Sequence, residues 1–192
     1  MIRKKIAGKR LELRPYTNKD YKTWFDAYTG LLPRHNHHDQ GPYTKSECPR
    51  DAFESYVKRH RELAQKDRTY IWGVYLKKTG EQVGAIDIHI LVRDELQKAN
   101  LGYRIFNNHW RKGYAKEAVK LAIDLAFDNL KLNRLEAVID LDNEASIALV
   151  KSLNFDCEGI RKKYFFQNGH WDDQIVYTVN REDRGFKKLR PF

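Results

Sequence analysis

Nine consecutive residues, Trp110-Arg111-Lys112-Gly113-Tyr114-Ala115-Lys116-Glu117-Ala118, have the composition of an anion-binding turn at the start of a helix. Glycine, one residue and then alanine let the backbone turn without a bulky side chain in the way. The first helical N–H groups have no partner inside the helix, and with the helix dipole they form a site for a phosphate or pyrophosphate. Arg111, Lys112 and Lys116 surround that site with positive charge. A turn of this kind also occurs at ordinary strand-to-helix junctions, so its weight depends on what accompanies it.

Three other groups of residues have the types that chemistry needs. Asn143 and Ser146 stand three apart at an expected helix start, where both face one side and Asn143 is a natural cap. Asp87 and His89 share one face of a strand-like segment whose other face carries Ile86, Ile88 and Ile90. His35, His37, His38 and Asp39 suggest a metal site, but no further Cys or His cluster completes one, and no metal is expected.

The order and spacing of several segments resemble the GNAT superfamily of acetyl-CoA-dependent N-acetyltransferases. They are Gly102-Tyr103-Arg104-Ile105, the turn just described, Leu132-Asn133-Arg134-Leu135-Glu136, Asn143-Glu144-Ala145-Ser146, Leu153-Asn154-Phe155 and Glu158-Gly159. The pattern is similar to that of the RimJ/RimL type, which acetylates ribosomal-protein N-termini, and it is strongest over residues 84–179. The chain departs from the superfamily pattern in three places. Trp110 stands where Gln or Arg is common, Val150 where many members carry a Tyr general acid, and Asn154 where glycine is usual.

The resemblance implies a fold and a set of roles. The fold is α/β, a mixed and mostly antiparallel sheet splayed at the acetyl-CoA cleft and flanked by helices, with residues 1–192 as one domain. Acetyl-CoA would lie along the backbone of Gly102, Tyr103, Arg104, Ile105 and Phe106, with its pyrophosphate at Arg111, Lys112, Gly113, Tyr114, Ala115 and Lys116. Asn143 and Ser146 would contact pantetheine. With Val150 in place of the usual Tyr, Ser146 would protonate the departing thiolate, ahead of Tyr103 and Tyr164. A base is harder to place, because Phe165 stands where the RimL type has a glutamate; Asp87, His89 and Glu95 are what remain. The loop carrying the three histidines would line the acceptor entrance, and Asp172 and Asp173 would meet an incoming cationic amine or form a solvated strand face.

Energetics bear on the acceptor. An α-amine with pKa near 7.8 is about 15% neutral at pH 7, which costs about 1 kcal/mol, whereas a lysine amine near 10.4 costs about 4.6 kcal/mol. An enzyme without a strong base suits the α-amine of a protein N-terminus, with ribosome association as a corollary. The rivals are a small amine (polyamine, aminoglycoside or amino-acid derivative) and a non-catalytic nucleic-acid or ribosome-binding module on the same fold.

Composition sets bounds. The chain has 192 residues, 41% of them hydrophobic and 12% aromatic, enough for one full core. The 36 Lys and Arg against 26 Asp and Glu leave +10, which attracts polyanions and does not suit a polycationic acceptor. Basic residues cluster at 3–5, 58–61, 161–163 and 187–190. No apolar run approaches the roughly 20 residues of a membrane span. Met1-Ile2-Arg3-Lys4-Lys5 lacks the apolar stretch of a signal peptide. Cys48 and Cys157 lack metal or redox spacing, and Cys157 beside Phe155 is expected near the core. A cytoplasmic enzyme, monomer or homodimer, follows as the expectation.

Local patterns then predict the elements that must hold these groups. Strands are expected at 10–14, 69–77, 82–92, 98–106, 135–139, 155–166 and 171–179, the last two joined at Asn168-Gly169. Helices are expected after a cap at Asn18, at 49–66, from the glycine turn through Ala126, and at 144–153. The alanine-rich stripe Ala115, Ala118, Val119, Ala122, Leu125 and Ala126 would let the third helix lie close against a sheet.

Overall fold

Alternation along the strands decides which side chains each face buries, and two cores result. The computed structural model describes residues 5–167 and 169–189. Met1, Ile2, Arg3, Lys4 and Arg190 of the terminal segments, and Asn168 of the expected turn, lie outside the described residues. Strands β1 (Ile6–Ala7), β2 (Leu11–Arg14), β3 (Thr69–Leu76), β4 (Gln82–Val92), β5 (Lys98–Ile105), β6 (Arg134–Asp140), β7 (Asp156–Gln167) and β8 (His170–Asn180) form one sheet, ordered β1-β2-β3-β4-β5-β6-β8-β7. Every neighbouring pair is antiparallel except β5 and β6.

On one face Tyr70, Trp72, Ile86, Ile88, Ala99 and Leu101 pack against α3 (Tyr114–Asp124) and α4 (Glu144–Ser152). The alanine-rich stripe is buried as expected: Ala118, Val119, Ala122, Leu125 and Ala126 have no exposed surface. On the other face Tyr75, Phe106 and Ile71 join Trp24 and Tyr28 of α1 (Tyr21–Thr29) with Phe53 and Val57 of α2 (Arg50–Gln65) in an aromatic cluster. Asp87 and His89 project on this second face, opposite Gly102 and Asn100 in register. Among the described residues no helix is long and apolar enough to cross a membrane.

Four local expectations needed correction. Strand β1 adds a short antiparallel partner to β2 that the pattern around Ile6 did not announce. Asn18 does not cap α1; Thr17 opens a 3-10 turn, and Asp20 accepts from both the Thr17 N–H (2.8 Å) and its hydroxyl (2.9 Å). Helix α3 ends at Asp124 and passes into a π turn, Leu125–Asn129, where the Arg181 guanidinium reaches in to donate to the Phe127 carbonyl. Cys157 is exposed rather than near the core, because it lies on the outermost strand, whereas Cys48 is fully buried. Asn154 adopts the left-handed conformation expected of it, at φ 54°.

Candidate active site

Parallel pairing of β5 with β6 lasts for three residue pairs, Lys98 with Arg134, Ala99 with Leu135, and Asn100 with Glu136. Beyond that point the strands part. Phe106 donates its N–H to Val83 on β4 (2.9 Å), so by the period of two the groups of Gly102 and Arg104 also point to β4. Those of Leu101 face β6 at the last pair, and those of Tyr103 and Ile105 face the opening. The Trp110 indole, donating to the Ile105 carbonyl at 2.7 Å from that side, confirms the phase. Of the five residues expected to lie along the cofactor, Tyr103 and Ile105 present their backbone there. Gly102 and Arg104 do not, and Phe106 turns away into the aromatic core.

The glycine turn sits at the end of this open edge. Gly113 is left-handed, at φ 73°, and α3 starts at Tyr114; Arg111 is also left-handed, at φ 59°. Arg10, which no sequence motif singled out, donates to the carbonyls of Lys112 (2.7 Å) and Gly113 (3.2 Å). In a planar trans peptide the N–H points opposite the C=O. Arg10 therefore aims the Gly113 and Tyr114 amides away from itself, leaving them for an anion. Glu117 holds Arg10 in turn, accepting from its N–H (2.6 Å), its Nε (2.8 Å) and the Leu11 N–H (3.0 Å). Burial pushes the Glu117 carboxyl up, but these donors outweigh it and hold it below the usual range. The side chains of Arg111 and Lys116 are exposed; Lys112 donates from Nζ to the Asn108 carbonyl at 3.1 Å.

Across the opening lies the first turn of α4. The Asn143 side chain caps it, Oδ1 accepting from the Ser146 N–H at 3.2 Å, and Ser146 is half-buried. The Tyr103 hydroxyl donates to the Ser146 carbonyl at 3.4 Å. Burial pushes the Tyr103 pKa up to about 12, so it remains a neutral donor. Val150 is fully buried beneath the helix.

The second face of the sheet carries Asp87, a candidate base. Asp87 lies beside Gly102, where an added Cβ would come within 2.4 Å of the carboxylate. Burial pushes the Asp87 pKa up, and His89 and Arg104 only partly offset it. Asn100 shares this face, and its Oδ1 is buried with no hydrogen-bond partner among the described residues. His89 is exposed, with Nδ1 2.8 Å from the Thr69 hydroxyl.

The segment after α1 overhangs this face. Asn107 anchors it, exchanging hydrogen bonds with Leu32 (2.8 and 2.9 Å) and donating to Asp39 (3.0 Å). His37 and His38 each approach Asp142 at 3.0 Å, and His38 approaches Asp140 at 3.3 Å. No Cys or further His joins the cluster among the described residues, but Asp142 brings three ligand-type atoms of His37, His38 and Asp142 within 4.8 Å of one another. Paired in this way, the groups clasp the overhang to the turn between β6 and α4. His35 instead stacks near Trp110, at 5.4 Å. Between clasp and sheet lies an open cleft of about 590 Å³, whose lining includes Arg34, Gln40, Tyr43 and Arg104.

Asp172 and Asp173 do not face this cleft as free anions. Asp173 accepts from Lys162 (2.6 Å) and the Lys163 N–H (2.8 Å), and Asp172 pairs with His170 (2.8 Å). Phe165 and Tyr164 are exposed on β7. Arg10 and Asn107 escaped sequence reasoning because both act through backbone carbonyls or a distant loop. The one signal for Arg10 was its place at the start of a strand.

Residues 10–156 match the family model for the acetyltransferase (GNAT) domain. The uncharacterized N-acetyltransferase YoaA of Bacillus subtilis is 35% identical over 125 residues, 65% of this chain and 70% of that protein. The spermidine N(1)-acetyltransferase of Escherichia coli is 31% identical over 100 residues, 52% of this chain and 53% of that protein. The crystal structure of ribosomal-protein-S5-alanine acetyltransferase from Vibrio fischeri superposes with a TM-score of 0.75 at 21% identity, covering 96% of this chain and 99% of that one. Together with the family match, the parted sheet and the glycine turn at its open edge belong to an acetyl-CoA-dependent acyltransferase. The chain belongs to the GNAT N-acetyltransferase family, and acetyl-CoA is its acetyl donor.

The turn makes a direct prediction. Gly113→Asp places a negative side chain beside the aimed amides and adds the left-handed strain of about 1–2 kcal/mol. Its affinity for CoA, measured by titration calorimetry, should fall by more than about tenfold, with Gly113→Ala falling less. Unchanged affinity in Gly113→Asp would place the pyrophosphate elsewhere.

Proposed function

We propose that this chain acetylates the N-terminal α-amine of a protein, by direct transfer in a ternary complex, as a cytoplasmic enzyme acting as one domain. The observation that carries the choice of acceptor is the cleft on the acceptor side. It is lined by Arg34 and Arg104, which have no carboxylate within ion-pair distance among the described residues, and its two acids, Asp39 and Glu47, accept hydrogen bonds that hold the overhang, which disfavours a polycation. The open overhang admits a chain end, and the +10 charge suits a ribosomal setting. The structural likeness to a ribosomal-protein acetyltransferase supports the same reading. A second reading, acetylation of a small polyamine, is favoured by the likeness to the spermidine enzyme.

In this mechanism pantetheine runs along the backbone of Tyr103 and Ile105, with its pyrophosphate at residues 111–116 and its arm beside Asn143. A backbone amide of the open edge polarises the thioester carbonyl. The neutral amine attacks that carbon, the C–N bond forms and the C–S bond breaks. The amine proton passes to Asp87, directly or through water, and Ser146 protonates the thiolate and is reprotonated from solvent. Asn100 Oδ1 accepts from the incoming amine. Among the described residues no cysteine–histidine pair suits an acetyl-enzyme: Cys48 is buried in the aromatic core and Cys157 lies on the outer strand.

A thiol-release assay against N-terminal peptides and small amines tests the acceptor; turnover confined to small amines would overturn it. Ser146→Ala should lower kcat by about 10- to 100-fold and leave the acetyl-CoA KM nearly unchanged. A large KM rise at constant kcat would make Ser146 a cofactor contact. Asp87 works as a base only when ionised, so kcat/KM should fall as pH drops through its raised pKa. At higher pH the rate should climb until the amine is neutral, near about pH 8. Asp87→Asn should lose about 100-fold in rate and the Asp87 limb of this profile. An unaltered profile would remove Asp87 from the reaction.

A further inference from the structure

The polar groups lining the acceptor cleft are not equally satisfied. Asp39 is buried and accepts from the His35 N–H (3.0 Å) and from Asn107 (3.0 Å). Glu47 accepts from the N–H and hydroxyl of Thr44, both at 2.7 Å. Both acids are thus occupied in holding the overhang. Arg34 donates to the carbonyls of Asn36 and His37. Arg104 is exposed on the acceptor face, and its hydrogen bond to the loop is with the neutral amide of Gln40. Asp87, two register positions along the same face, feels the Arg104 charge but makes no salt bridge with it among the described residues. A guanidinium fork presenting donors to an open cleft, without a carboxylate of its own, is a site for an anion.

We infer that Arg104, backed by Arg34, binds a carboxylate on the acceptor, so that the preferred substrates are peptides with Asp or Glu at the second position. This inference rests on the N-terminal reading above and gives it a sequence preference. The spacing selects the class. Gly102, which faces Asp87, and Arg104 are two residues apart on β5, about 7 Å along an extended strand. In an extended peptide the α-amine and a second-residue side-chain carboxylate are separated by a comparable length, one residue step plus a side chain. A free amino acid, with amine and carboxylate on one carbon, is too short to reach both. With the amine at Asp87 and the carboxylate at Arg104, one charge of each sign on the enzyme meets its opposite on the substrate, which fixes the register of the chain end.

The test is steady-state thiol release with acetyl-CoA and three peptides that differ only at the second residue, Asp, Ala or Lys. The wild-type enzyme should order them Asp over Ala over Lys. The Asp-to-Lys ratio of kcat/KM should exceed about tenfold and arise mainly in the peptide KM. Arg104→Gln should shrink that ratio to below about threefold, while the acetyl-CoA KM moves by less than about twofold. Arg104→Lys, which keeps the charge without the fork, should retain an intermediate ratio. A thermal melt of each variant separates loss of fold from loss of selectivity. A ratio unchanged in Arg104→Gln, or an acetyl-CoA KM that rises instead, would overturn the inference. Peptides turned over without regard to the second residue would remove only this preference. Turnover of spermidine with none of the three peptides would remove the N-terminal reading together with it.

Discussion

The parting of β5 from β6 after Asn100 and Glu136 is the constraint on which the rest of the molecule depends. A sheet interior normally satisfies every backbone group, so an open edge inside it needs something to hold the strands apart and together at once. Glu136 does both. Its side chain is 1% exposed and lies at the last paired position, where Lys98 of β5 (3.4 Å), Arg134 of β6 (3.2 Å) and Arg161 of β7 (2.9 Å) converge on it. Burial pushes its carboxyl up, but the hydrogen bonds from Arg161 and Arg134 outweigh that and keep it ionised. The four charges bind three strands just below the fork. Above it, α3 packs on the β5 arm and α4 on the β6 arm from one face, and the aromatic core backs the β5 arm from the other.

The anion turn and the acceptor face depend on that fork through different connections. Arg10 and Glu117 lash the glycine turn to the edge of the sheet, so the direction of two amides is set by a strand more than 100 residues earlier. Asn107, one residue past the buried Phe106, ties the overhang to the same end of β5. In the proposed mechanism the open backbone edge of β5 serves the thioester, while Asp87 of β4 and Arg104 of β5 flank the amine.

Much of this was legible in the sequence. Strand β4 and helices α2 and α4 begin and end within a residue or two of their patterns, because strict alternation and helical stripes leave little freedom. Left-handed Gly113 before α3 and the Asn143 cap of α4 follow their patterns, because local geometry requires small or capping residues at helix starts. What escaped was non-local. The phase of β5, which turns Gly102, Arg104 and Phe106 away from the opening, is fixed by pairing with Val83. The convergence of His37 and His38 on Asp142 joins residues more than 100 positions apart. The exposure of Cys157 follows from the place of β7 at the sheet edge, which local hydrophobicity does not encode.

The central claim is that the open edge of β5 receives the acetyl donor through alternate residues. Residue-resolved amide exchange with and without saturating acetyl-CoA tests it most directly. Gly102 and Arg104, already paired to β4, should be protected in both states, whereas Tyr103 should gain protection only with the cofactor. Protection unchanged at Tyr103, or gained instead at Gly102 and Arg104, would contradict the account.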